Sequence, residues 1–179
     1  MEKTRSGMNA ECGAGKDLYV IGGPMGVGKS AVGQCLKRML PRAVLLDGDW
    51  CWDADPFVVT EETKRMVLSN IRFLLNSFLR CSEYENVVFC WVMHRQEIIE
   101  DILSGLDLSG CRTVSVSLTA SPEALRARLE RDVVRGARPE DVIGRSLAYL
   151  PLYAALETRK IDTSHLDAEA AARAAAALK

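Results

Sequence analysis

Gly22-Gly23-Pro24-Met25-Gly26-Val27-Gly28-Lys29-Ser30 decides the reading of this chain, because Gly23 to Ser30 satisfies GxxxxGK[ST] at every fixed position. The spacing has a chemical reason. Glycines let backbone N–H groups approach phosphate oxygens, a lysine reaches the β and γ phosphates, and a serine hydroxyl can bind Mg²⁺. The pattern therefore assigns a phosphate cradle to Gly23, Met25, Gly26, Val27, Gly28, Lys29, Ser30 and Ala31, with Ser30 as one metal ligand. The flanks agree with it. Asp17-Leu18-Tyr19-Val20-Ile21 reads as a short buried strand, and residues 31–40 as an amphipathic helix with Val32, Leu36 and Met39 or Leu40 inward. A helix that opens directly after the glycines adds its positive N-terminal end to the anion site.

Around this centre the composition narrows the possibilities. A length of 179 residues suits one domain, expected over 17–179, with the polar, glycine-containing residues 1–16 as a flexible tail. Net charge of −1, from 23 basic and 24 acidic residues, provides no global field for nucleic acid or an anionic membrane. No apolar run approaches the roughly 18 residues of a spanning helix. The six cysteines lack CxxC or Cys/His ligand spacing and read as reduced core residues. The expectation is a cytoplasmic monomer or homodimer whose partner is a small molecule.

Strand and helix patterns alternate along the rest of the chain. Residues 43–47 and 112–118 read as strands, 86–93 as a nearly unbroken apolar strand covered on both faces, and 160–163 as a short last strand. Thr60 is placed to cap a helix reaching about Arg80, and a further helix follows near residues 95–104. Ser121-Pro122-Glu123 opens another helix with a cap, a proline at its first position and a first-turn acid. Helices over 141–157 and the alanine-rich 168–178 complete the pattern, which predicts an α/β protein with a five-stranded parallel sheet and right-handed crossovers.

Two further constellations carry chemistry. In Leu46-Asp47-Gly48-Asp49-Trp50 two carboxylates two residues apart leave the end of a strand, at the edge where parallel sheets bind ligands. Asp49 is assigned as the base or orienter of an acceptor hydroxyl, and Asp47, nearer the strand, to Mg²⁺ through water. Arg128, Arg131, Arg135 and Arg138 fall at i, i+3, i+7 and i+10, which predicts one helical face bearing four guanidinium groups. Arginines supplied in cis stabilise a migrating phosphoryl group, so Arg135 and Arg138 join Lys29 and Asp49 as candidate catalytic residues. Gly136 and Pro139 would be the joints of a lid over about 131–140.

With GGPMGVGKS, LLDGD, RLERDVVRGARP, the LPLY stretch at 150–153 and IDTS at 161–164, the chain resembles small P-loop kinases of the shikimate, gluconate and adenylylsulfate kinase type. These belong to the nucleoside-monophosphate-kinase-like group. The resemblance covers about residues 17–178. It implies a three-layer P-loop NTPase sandwich with sheet order 2-3-1-4-5 and helices on both faces, an arginine-rich lid, Mg·ATP as donor, and an acceptor pocket beyond strand two. It also implies Arg131 against the adenine, Arg138 at the phosphates, and Thr163 and Ser164 near the base.

Departures from the pattern bear on the acceptor. Where shikimate kinases carry an arginine before Pro-Leu-Tyr and a glycine pair after the third strand, this chain has Tyr149 and Cys90-Trp91-Val92, which argues against shikimate. The third strand also lacks a terminal acid, which leaves the metal task to Asp47. Trp50, Trp52, Trp91 and His94 are expected to ring the acceptor pocket, an aromatic wall suited to a flat or sugar-like molecule. The expected activity is transfer of the γ-phosphate of Mg·ATP to a hydroxyl or phosphate of a small molecule. The alternative is a nucleotide-binding regulatory ATPase without such an acceptor.

Overall fold

The structure is a computed structural model that describes residues 15–179; residues 1–14 of the expected tail lie outside the described residues. Its elements are β1 (Lys16–Gly22), α1 (Lys29–Met39), β2 (Ala43–Asp47), a 3-10 turn (Gly48–Cys51), α2 (Glu61–Arg80), β3 (Asn86–Cys90) and α3 (Gln96–Ser104). There follow β4 (Cys111–Thr119), α4 (Pro122–Val134), α5 (Val142–Ala155), β5 (Arg159–Asp162) and α6 (Ala168–Ala176). All strand pairs are parallel, in the order β2-β3-β1-β4-β5, which is the sheet of the P-loop kinase fold.

Strand alternation divides the core into two layers. Tyr19, Ile21, Val88 and Cys90 face one way, where they meet Val32 and Leu36 of α1, Leu125 and Leu129 of α4, and Ala171 and Ala175 of α6. Leu18, Val20, Val87 and Phe89 face the other way, onto Val67, Ile71 and Leu75 of α2, Ile99 and Ile102 of α3, and Tyr153 of α5. Each buried Val, Leu, Ile or Phe among them contributes roughly 1.5–3 kcal/mol. The helix starts follow local chemistry. Thr60 and Thr63 form a reciprocal capping box on α2, Ser121 accepts from the Ala124 amide at 3.2 Å ahead of Pro122, and Asp167 accepts from the Ala170 amide at 2.7 Å. No helix among the described residues is long and apolar enough to cross a membrane.

Two sequence expectations are corrected. The third strand stops at Cys90 instead of Met93, because Cys90 pairs with Ile21 and Asp47 just where both neighbouring strands turn away; only the Trp91 amide still reaches back, to the Ile21 carbonyl at 3.1 Å. The single four-arginine face does not form either. Helix α4 ends at Val134 with Arg135 as its cap, Gly136 turns the chain at φ +70°, and Arg138 lies beyond the helix, paired with Asp132 at 3.2 Å.

Helix α1 lies close on the sheet at Gly33, where a Cβ would stand 2.5 Å from the Cys90 sulfur and 3.1 Å from Leu45. Gly33→Val should therefore lower unfolding free energy by about 1–3 kcal/mol through overpacking, read as an earlier urea midpoint at unchanged slope. An unchanged midpoint would contradict this packing.

Candidate active site

The loop after β1 needs glycine at two positions for different reasons, a close contact and a left-handed backbone. A Cβ on Gly26 would lie 2.4 Å from Leu129 of α4, and Gly28, at φ +105°, caps α1 in the left-handed conformation that glycine adopts freely. Ser146 of α5, fully buried, donates to the Met25 carbonyl at 2.6 Å and anchors the crown of the loop from the opposite side. Lys29 folds back over the loop, donating to the Gly23 and Pro24 carbonyls at 2.9 and 3.0 Å. Burial pulls its ammonium down to about 8, a drop opposed by Asp49, Cys90 and Asp47 and reinforced by Arg138.

Opposite the loop stands the acidic turn. Ser30 donates to Asp47 Oδ2 at 2.6 Å, and the Asp49 amide donates to Asp47 Oδ1 at 3.2 Å, so one buried carboxylate ties α1 to the end of β2 and starts the 3-10 turn. Asp49 follows on that turn. Its acidity is weakened chiefly by burial and by Asp47, and strengthened by Lys29, a hydrogen bond from the Trp91 side chain and Arg138. Gly48 is required beneath Trp91, because a Cβ there would sit 2.5 Å from the indole ring. Burial pushes the nearby Cys90 thiol up to about 12, which leaves it inert as a nucleophile.

A cavity of about 180 Å³ opens beside the loop between Val27, Gly28, Arg128, Thr163, Leu166 and Ala171. Thr163 donates to the Thr119 carbonyl at 3.0 Å and accepts from Arg128 Nη1 at 3.0 Å. Ser164 donates to Asp162 at 2.6 Å and accepts from the Ser121 amide at 2.7 Å. Both hydroxyls are thus engaged in holding the cavity wall. Arg128 also donates to the Thr163 carbonyl, and it is the arginine that contacts this cavity. Arg131 instead bonds the Ala127 carbonyl at 3.2 Å and, with Arg135, lines an outward face beside the exposed Val134.

The expected aromatic ring is brought together only in part. Trp91 and His94 stand at the site edge, whereas Trp52 packs against Phe57 with ring centres 4.7 Å apart and planes tilted by 40°, and Trp50 is 60% exposed. Sequence reasoning passed over Ser146, the Arg128 contacts and the packing of Tyr149 on His94 at 4.4 Å. Each of these joins residues far apart in the chain, so no local pattern signals it. For a metal, the donors at hand are the Ser30 hydroxyl and the Asp47 carboxylate. The described residues hold no cluster of three or more His, Cys, Asp or Glu suited to a metal. This donor set fits Mg²⁺, which keeps several waters and takes one or two protein oxygens beside phosphate.

The tunicamycin resistance protein of Deinococcus radiodurans superposes with a TM-score of 0.66 at 20% identity, over 90% of this chain and 94% of that one. A gluconokinase from Sinorhizobium meliloti gives 0.66 at 19% identity, over 92% and 91%. The Mycobacterium tuberculosis APS kinase, solved with AMPPNP and APS, gives 0.60 at 15% identity, over 93% and 98%. At these identities the likeness shows the fold. No curated protein matches the chain in sequence. A family model does, over residues 20–142, a span that holds the phosphate loop, the acidic turn and α4, so the chain belongs to the AAA domain family.

Proposed function

We propose that this chain transfers the γ-phosphoryl group of ATP to a hydroxyl of a small molecule. The observation that carries the reading is the division of labour between two neighbouring carboxylates. Asp47 is committed to Ser30 and the Asp49 amide, while Asp49 is held by Trp91 within reach of the Lys29 charge. Kinases of small molecules among its structural neighbours support the same reading.

In this scheme the loop amides, Lys29 and Ser30 receive the triphosphate, and the cavity beside Arg128 and Thr163 receives the base. Bound Mg²⁺, held by Ser30 and Asp47, would supply charge neutralisation between β and γ oxygens. Asp49, its acidity weakened by burial, is suited to accept the hydroxyl proton as the acceptor oxygen bonds to phosphorus and the bridging oxygen leaves with ADP. Arg138, whose charge acts on both Lys29 and Asp49, is the arginine best placed to steady the migrating group; Arg135 and Arg131 would join it only if residues 131–140 close over the loop. The ATP-using reaction and the uncombined thiols of Cys35, Cys51, Cys81 and Cys90 suit the cytoplasm.

Two measurements follow. The phosphate site needs a protonated Lys29, whose free-protein pKa of about 8 lies below the usual lysine value, so ATP affinity should be level below pH 8 and fall about tenfold per pH unit above it. Lys29→Arg, which keeps its proton throughout, should remove that slope; a wild-type affinity that is level to pH 10 in equilibrium dialysis would contradict the assignment. Asp49→Asn should lower transfer on the order of 10²-fold or more while ATP affinity stays within about twofold. Joint loss of ATP affinity and turnover would put Asp49 on the metal instead.

A further inference from the structure

Between Asp49 and α5 the chain assembles a set of rings that phosphate chemistry does not need. Trp91 lies on Gly48 and hydrogen-bonds Asp49. Three residues on, His94 stacks on Tyr149, ring centres 4.4 Å apart and 14° from parallel. Tyr153, one turn later on α5, packs beside Gly22 and Met93 and fixes this helix to the start of the phosphate loop. All three contacts fall at the ends of β1, β2 and β3, the edge that also carries Lys29 and Asp49.

The polar atoms of this wall are asymmetric. His94 Nδ1 is buried and has no hydrogen-bond partner among the described residues. A buried lone pair without a donor is tolerated better than a buried N–H without an acceptor, so the proton belongs on Nε2, the outer nitrogen. Burial and the neighbouring Arg95 both hold this imidazole below the usual histidine range, so it is neutral near pH 7 and presents a single N–H donor.

The charges around Asp49 are equally selective. Those that act on it are Asp47, Lys29 and Arg138; Lys29 is bonded to the phosphate loop and Arg138 is paired with Asp132. Arg145, one turn before Tyr149, is paired with Asp141 at 3.1 Å. Arg65 and Arg95 line a separate groove between α2 and α3 with Glu61, Glu97 and Glu100. An acceptor bearing a carboxylate would approach two aspartates, and Arg95, the cation beside His94, shares its groove with three glutamates.

We infer that the acceptor is an uncharged hydroxyl compound carrying a flat aromatic or heterocyclic ring. The ring lies against the Tyr149–His94 stack, an oxygen or ring nitrogen accepts from His94 Nε2, and the hydroxyl is directed to Asp49. The inference rests on the kinase reading above. Tyr149 and His94 are then specificity-determining residues that act on the acceptor and not on ATP.

The test supplies labelled ATP and Mg²⁺ with three probe sets: neutral ring-bearing alcohols (uridine, adenosine, 2-phenylethanol, pyridoxine), ring-free polyols (glycerol, sorbitol) and hydroxy-carboxylates (gluconate, shikimate). Label should pass to a member of the first set. Tyr149→Ala and His94→Ala should each raise KM for that alcohol by about tenfold or more with KM for ATP nearly unchanged, while Tyr149→Phe stays near wild type and His94→Gln, which keeps a donor, recovers part of the loss. Label confined to the polyols or hydroxy-carboxylates, no label on any ring-bearing alcohol, or unchanged KM in folded Tyr149→Ala and His94→Ala would each overturn the inference. Those outcomes, with ATP still bound, leave the phosphate site standing; failure to bind ATP at all would bring down the kinase reading itself.

Discussion

The 2.6 Å hydrogen bond from Ser30 to Asp47 is the interaction on which the rest of the site depends. It joins the first turn of the helix after the phosphate loop to the end of an edge strand two positions away in the sheet. A carboxylate this buried must be satisfied, and its second oxygen is satisfied by the Asp49 amide, which starts the 3-10 turn. The position of Asp49 relative to Lys29 is thereby set by sheet register, through Asp47 opposite Cys90 and Cys90 opposite Ile21, and not by a free loop. Groups held by strands in register are the ones that keep reacting atoms in line.

How much of this was legible in the sequence follows from which interactions are local. The glycine loop, the Thr60 and Ser121 caps and the alternation of apolar runs all work over a few residues, so the strands and helices came out nearly as expected, and the sheet order followed from the resemblance those motifs support. The end of β3 was misread because Trp91-Val92-Met93 is as apolar as a strand, and only the turning away of both neighbours stops it at Cys90. The arginine face failed for a related reason. Helical spacing projects a straight helix through Gly136, whose left-handed backbone ends it, and Arg138 is thereby separated from Arg128 and Arg131. The Tyr149–His94 stack joins residues from α5 and the β3–α3 loop, 55 positions apart by number, and no local pattern announces it.

The fold and the chemistry separate at this point. Structural neighbours at 15–20% identity share the fold, and one fold can host many chemistries. In this chain the rim is built from Trp91, His94 and Tyr149 around one polarised carboxylate, while Arg138 and Arg145 are paired with Asp132 and Asp141. Arg128 has been drawn into the wall of the neighbouring cavity, where it links the β5 end to the crown of the phosphate loop through Thr163 and Val27. The two halves of the site, one from backbone amides and cations, the other from rings and carboxylates, are joined by the Ser30–Asp47 hydrogen bond and by the attraction between Lys29 and Asp49.

The central claim is that phosphoryl groups leave ATP for an organic hydroxyl and not for water. The most direct measurement incubates the protein with γ-labelled ATP and a fractionated small-molecule extract, then follows the label by mass and chromatography. The account predicts that one fraction speeds ATP consumption many-fold and that the label appears on an organic phosphate ester. Label recovered only as inorganic phosphate, at a rate no fraction alters, would contradict it.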